Sequence, residues 1–388
     1  MEKYFISDVV LNLFIYLDKK SSFNLLNCSH ALTQNKYNLY SKYLFNPKKY
    51  KYLKTVNAKD ISHMRLDINF NSSLLKFSNL RSLIICFDVT NKLFNYLPKT
   101  LIKLKIMCNE LTESLDNLPF KLESLTVICN TFNKSLNNLP LTLTELCIHS
   151  DEFNQDLDKL PLSLNIIKIT SQIFNKSLDN LPYNLKALYI KSNIFDKDLN
   201  DLPPCLINLT IFGLIFNNSL VNLPCNLLDL TIRCKKFNQS LLNLPYNLIT
   251  LVIESDIYNQ SLDALPTSLK TLVIRGKKYN KSLDKLPLLD SLVIWVKNFN
   301  QNLNNLPETL SKLMLHSYKF DKSLNDLPDA ISTLYIMSKP FNGLFVKLPD
   351  NLKKLHISCN RHVTLPDRGK NNKNILDAVI NGNKICTI

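Results

Sequence analysis

The chain has 388 residues, 45% of them apolar and 20% charged, so it can bury a continuous core and is not a disordered polar tract. Only five glycines accompany 17 prolines, a poor supply for the phosphate-binding turns and tight loops on which globular enzymes draw. The net charge of +15 is uneven: residues 1–75 hold 11 basic and five acidic groups, residues 353–388 hold seven and two, and the stretch between keeps +4.

The first twenty residues contain an apolar run, but Asp8 and Asn12 interrupt it. It is too short to cross a bilayer and lacks a small-residue cleavage site. An intracellular chain without a membrane segment is expected. Val10, Leu13, Phe14 and Leu17 share one face of a predicted helix that Ser7 or Asp8 can cap. Phe23, Leu26 and His30 predict a second helix, and Tyr37, Tyr40, Leu44 and Phe45 a third. Three short helices over residues 1–45 leave surplus apolar surface, so this module should dock on a partner.

The run from Ile6 to Leu11, followed by Phe14, Leu17, Leu25 and Cys28, resembles an F-box. Ile6-Ser7 stands where that family opens with Leu-Pro, and its usual late Trp is missing. The resemblance implies docking on a Skp1-type adaptor of a cullin–RING ubiquitin ligase. Ile6, Val10, Leu13, Phe14, Leu17 and Leu25 would be the adaptor-docking residues. The alternative is a helical cap over the open end of a repeat stack.

Residues 46–89 form a basic connector and a first degenerate repeat. From Lys42 through Lys48, Lys49, Lys51 and Lys54 to Lys59 no acid intervenes. This is a solvated face or a contact for an acidic partner protein. Binding to nucleic acid is not expected, because the body of the chain is nearly neutral.

Across residues 90–366 the dipeptide Leu-Pro recurs every 21 residues from Pro98 to Pro287, steps once by 20 to Pro307, and resumes to Pro328 and Pro349. Such a period is the mark of a stacked repeat. Phe174 to Ser192, FNKSLDNLPYNLKALYIKS, shows one unit whole. Its Leu-x-Ile segment has the alternation of a strand, and its Pro forbids a helix in the return. Strand pairs of this kind run from Leu104/Ile106 to Leu355/Ile357, with Leu83/Ile85 as the expected start. The predicted fold is a leucine-rich-repeat-like solenoid with a parallel β-sheet and an extended or 3₁₀ return.

Three columns are expected inside. Phe132 to Phe341, with Tyr258 and Tyr279 among them, should stack as an aromatic spine. The Asn after most of these rings, replaced by Asp at 196 and 321, should serve unpaired backbone groups in a buried turn. Two residues beyond the strand Ile the side chain is nearly always small, as at Cys129, Ser150, Gly213 and Cys234, with Val296 as the larger exception. This accounts for several of the ten cysteines without metal or redox chemistry. The glycosylation-like triplets at Asn133, Asn175, Asn238 and Asn259 follow from the same repeat.

The unit resembles the FNIP repeat, a leucine-rich-repeat relative, through Phe-Asn, Ser-Leu and Leu-Pro, as in Phe132-Asn133 and Leu139-Pro140. The resemblance covers about three quarters of the chain. It implies an interaction protein that carries another module at one end.

No HExxH helix, P-loop, serine elbow or zinc-spaced Cys/His set occurs, so neither enzyme activity, metal nor cofactor is expected. Function should lie on the outward strand residues: Tyr189, Phe212, Arg233, Arg275, Trp295, Met314, His316, Tyr335, Met337 and His356. Aromatics, Met and Arg are the types that dominate interfaces with target proteins. Residues 367–388 are a C-terminal cap or tail, which in the alternative reading folds back over some of these side chains.

Overall fold

The computed structural model describes residues 61–67, 74–89, 92–341, 343, 345–365, 377–381 and 383–385. The helices expected over residues 1–45 and the lysines up to Lys59 lie outside the described residues. The chain divides into two compact units. One runs to Glu113 and includes Asn117–Thr126; the other comprises Ser114–Asp116 and everything from Val127.

In the first unit, β1 (His63–Leu66), β2 (Ser82–Ile85) and β3 (Lys103–Met107) pair in parallel. The strand series starts earlier than the sequence reading placed it. Met64 and Leu66 occupy the inward positions one rung before Leu83 and Ile85, and all four are buried. Short 3₁₀ turns at Leu74–Lys76 and Leu93–Tyr96 form the returns. The Glu113 carboxylate caps the second by accepting the Leu93 and Phe94 amides at 2.9 and 3.1 Å.

Strand β4 (Ser124–Ile128) spans the division between the units. Beyond it the second unit is a parallel β-solenoid. Its strands are β5 (Glu145–His149), β6 (Ile166–Thr170), β7 (Ala187–Ser192), β8 (Asn208–Gly213), β9 (Asp229–Cys234), β10 (Thr250–Ser255) and β11 (Thr271–Gly276). Then come β12 (Ser291–Val296), β13 (Lys312–His316), β14 (Thr333–Met337) and β15 (Lys354–Ser358). Each pairs with the next so that equivalent inward side chains face each other, as Leu251 with Leu272 and Ile253 with Ile274. The two inward side chains of every rung are thereby buried.

Each return closes through its proline. The Pro carbonyl accepts the N–H of the Leu three residues on, for example Leu164 to Pro161 at 3.1 Å and Leu248 to Pro245 at 3.1 Å. Pro287 is the exception: its carbonyl accepts Leu289, two residues on, at 2.7 Å. The one-residue deletion is absorbed in that tighter turn, so Leu272 still faces Leu292 and the sheet keeps its register.

The aromatic spine forms as expected. From Phe132 to Phe341 successive ring centroids are 5.9 to 6.3 Å apart and nearly parallel. Burying each ring contributes about 1.5–3 kcal/mol. The small column does more than save space. Ser150, Ser171 and Ser317 donate their hydroxyls to the backbone carbonyls of Phe132, Phe153 and Phe299, one rung back, at 2.7 to 2.8 Å. Where Gly213 and Gly276 replace serine, a Cβ would collide with the Ser192 and Ser255 carbonyl oxygens, and Gly276 has a φ of 147°.

The asparagine row is a ladder, but not in a buried turn. Asn238 Oδ1 accepts the Asn259 amide at 2.9 Å, Asn259 accepts from Asn280 at 3.0 Å, and Asn280 from Asn300 at 2.8 Å, all at half-buried or exposed positions. Each backbone amide finds its acceptor one rung back, because stacking repeats the return at a fixed spacing.

At the far end β16 (Asp377–Ile380) adds in parallel to β15, and β17 (Asn383–Ile385) turns back antiparallel on β16. These residues continue the sheet edge instead of folding over the outward side chains.

Candidate interaction surface

Outward side chains of one sheet stand in rows because parallel pairing places equivalent residues opposite each other. The residue after the inward Ile gives the row Phe212, Arg233, Glu254, Arg275, Trp295, His316 and Met337, each on the next strand. The residue before that Ile gives Tyr189, then, further along, Val293, Met314, Tyr335 and His356. All ten side chains predicted to bind a partner fall in these two rows.

Neighbours in the rows touch. The rings of Tyr189 and Phe212 are 5.4 Å apart, and the Arg233 guanidinium lies 5.0 Å above Phe212. Glu254 bridges Arg233 at 3.6 Å and Arg275 at 4.0 Å. These ion pairs are half exposed, so each adds little to stability, about 0–1 kcal/mol, and serves to hold the side chains upright. Further along, Trp295 meets His316 edge-on at 4.4 Å, and His316 lies 5.4 Å from Tyr318. Tyr335 stacks on His356 at 4.2 Å and donates its hydroxyl to Met337 Sδ at 3.0 Å. Trp295 is 42% and Tyr318 56% exposed, while His316, Tyr335 and His356 are half-buried, so the first two rings project from the group.

Burial holds both histidines below the usual imidazole range, with Asp377 opposing the effect at His356. His316 Nδ1 is buried without a partner. Burial also pushes the Tyr189 phenol up and the Cys234 thiol up to about 12, so that cysteine is inert packing. Among the described residues no cluster of three His, Cys, Asp or Glu is placed to hold a metal ion.

Sequence reasoning missed three features. Glu254, at the centre of the middle cluster, and Tyr318, just past a strand end, both join the surface. A separate exposed row follows the prolines, where Leu141, Leu162, Tyr183 and Tyr246 are 84%, 73%, 63% and 70% exposed. Aligning the 21-residue copies at Pro would have revealed it. The adaptor-docking residues Ile6, Val10, Leu13, Phe14, Leu17 and Leu25 lie outside the described residues.

No family model matches the chain, and no curated protein matches it. Among solved structures it is similar to CroV588, described as a novel circular LRR protein, with 24% identity and a TM-score of 0.63. That match covers 82% of this chain and 56% of the other, so the chain spans little more than half the length of CroV588. It is also similar to YopM from Yersinia enterocolitica, with 21% identity and a TM-score of 0.54, over 82% of this chain and 72% of YopM. What these likenesses share with the geometry above is the fold, a leucine-rich-repeat-like parallel β-solenoid.

Proposed function

We propose that this chain is a non-catalytic, intracellular interaction scaffold of FNIP-repeat type that holds a target protein on the outward face of its sheet. One observation carries the reading: from Phe212 to Met337 seven consecutive strands present aromatic, Arg, Glu, His or Met side chains in one unbroken row. Rigid strands fix these groups in advance, so little side-chain freedom is lost on binding. Such residue types supply most of the binding energy at protein interfaces.

Residues 1–45, with their F-box resemblance, complete the proposal by docking on a Skp1-type adaptor. The target's lysines would then be held near a ubiquitin-charged enzyme, and the contribution of the chain would be proximity alone. The test is affinity purification of the full chain from cells that express a Skp1-type adaptor. The adaptor should co-purify and should be lost when residues 1–45 are deleted. If the adaptor is absent and the deletion only lowers solubility, the ligase part fails. A scaffold with no ubiquitin link then stands, provided Trp295→Ala with Tyr335→Ala still abolishes target capture.

A further inference from the structure

The positions that follow the small residue at each strand end form a ridge beside the outward face. After β5 to β7 they are acidic or neutral: Asp151 and Glu152, then Gln172 and Ile173, then Asn193 and Ile194. After β11 to β15 the ridge turns basic, with Lys277, Lys278, Lys297, Lys319, Lys339 and Arg361, all exposed, and no acid at these positions. Lys277 pairs with Asp256 at 2.7 Å. Among the described residues the other five have no carboxylate within salt-bridge distance.

Lys235 and Lys236 follow β9 at the same positions, but Asp256 interrupts on the next rung; from β11 to β15 the basic run is unbroken and flanks Trp295, His316, Tyr335 and Met337. Ridge and face are continuous there: the Tyr318 ring, on the ridge, lies 5.4 Å from His316, and Lys297 Nζ sits 5.9 Å above Tyr318. Like charges spaced at rung distance repel one another, so the ridge is stabilised by any anion laid along it. The opposite side is mixed: Asp290 precedes β12 and Glu308, Asp329 and Asp350 follow the prolines of the next returns, while Lys312, Lys353 and Lys354 stand at the strand starts and Lys347 pairs with Asp329 at 2.8 Å. A polyanion covering both margins would meet those carboxylates. His356 already occupies one face of the Tyr335 ring at 4.2 Å, which leaves less of it for a stacked base. The arrangement suits a chain with apolar anchors on the face and carboxylates along one side only.

We propose that rungs β11 to β15 bind an acidic, extended segment of a partner protein, its apolar side chains on the Trp295–Tyr335 face and its carboxylates against the lysine ridge. This rests on the sheet-face reading above and adds the chemistry of the partner. The test pans a phage-displayed library of random peptides on the full chain. Peptides that combine acidic with aromatic or large aliphatic residues should be enriched. Trp295 is the one tryptophan in the chain, so its emission should respond to them. Their affinity should fall at least about tenfold in Lys278→Glu/Lys319→Glu/Lys339→Glu, and steeply with salt.

Enrichment of neutral or basic peptides, no enrichment at all, or tighter binding of a single-stranded oligothymidine than of the best peptide would overturn the inference. If the triple variant keeps its peptides while Trp295→Ala/Tyr335→Ala loses them, the acidic-partner inference fails and the sheet-face reading survives. Should the charge variant lose them and the aromatic variant keep them, the sheet-face reading itself fails. All five substituted side chains are exposed or half-buried, and unchanged melting of the variants verifies that the fold is intact.

Discussion

The rings of Tyr258 and Tyr279 stack 5.9 Å apart within the aromatic spine, and both hydroxyls are buried without a hydrogen-bond partner. Burial pushes both phenols above their usual range, so each stays neutral. A buried hydroxyl left unpaired costs about 1–3 kcal/mol. Tyr258→Phe and Tyr279→Phe, which restore the residue type of the other rungs, should therefore be neutral to stabilising, by up to about 1–3 kcal/mol each. Urea unfolding of the full chain measures this, and a clear loss of stability in either variant would show that the hydroxyl has a partner.

Cutting the spine should do the opposite. Phe237 is fully buried and contacts a ring on either side, at 6.1 Å each. Phe237→Ala should cost about 3–5 kcal/mol through lost transfer energy and the cavity left behind. Because each rung touches only its neighbours, the damage should be local. Hydrogen exchange should accelerate in β8 to β10 before it does in β14.

The asparagine ladder makes a selective prediction. Asn259 donates its backbone N–H to Asn238 Oδ1, so that position needs an acceptor and nothing more. Asp196 already serves this way for Asn217, at 3.4 Å. Asn238→Asp should be tolerated, whereas Asn238→Ala should cost about 1 kcal/mol, the net worth of a hydrogen bond on a half-buried amide. Thermal melts of the two variants side by side decide it; equal losses would mean that the amide's donor side matters.

The outward histidines give the surface a pH dependence. His316 and His356 are both held below the usual imidazole value of 6.5 by burial. A histidine with a depressed folded-state pKa binds its proton more weakly when folded. Its stability contribution is then complete above the unfolded pKa and is lost as the pH falls through 6.5 toward the folded value. Melting between neutral and mildly acidic pH should fall more steeply in the native chain than in His316→Gln, and His316 should titrate below the usual histidine range by NMR. An identical pH profile in the two proteins would remove His316 as a contributor.

The 21-residue period alone located the strands, the inward Leu and Ile, the spine and the outward rows, because one stacked unit must repeat whatever its neighbour does. Leu251 must face Leu272 if Phe237 is to stack on Tyr258. Only the folded chain decided where repetition is broken or reused. The deletion beside Pro287 vanishes into a tighter turn, since a carbonyl can close on the second residue as well as the third. Met64 becomes the first inward residue because β1 pairs with β2, a match hidden by its irregular spacing. Asn238 and Ser171 acquire their roles from carbonyls and amides one rung away, about 20 residues off in sequence. Which outward side chains touch was equally beyond a linear reading, because Trp295 with His316, and Tyr335 with His356, are neighbours across strands and not along the chain.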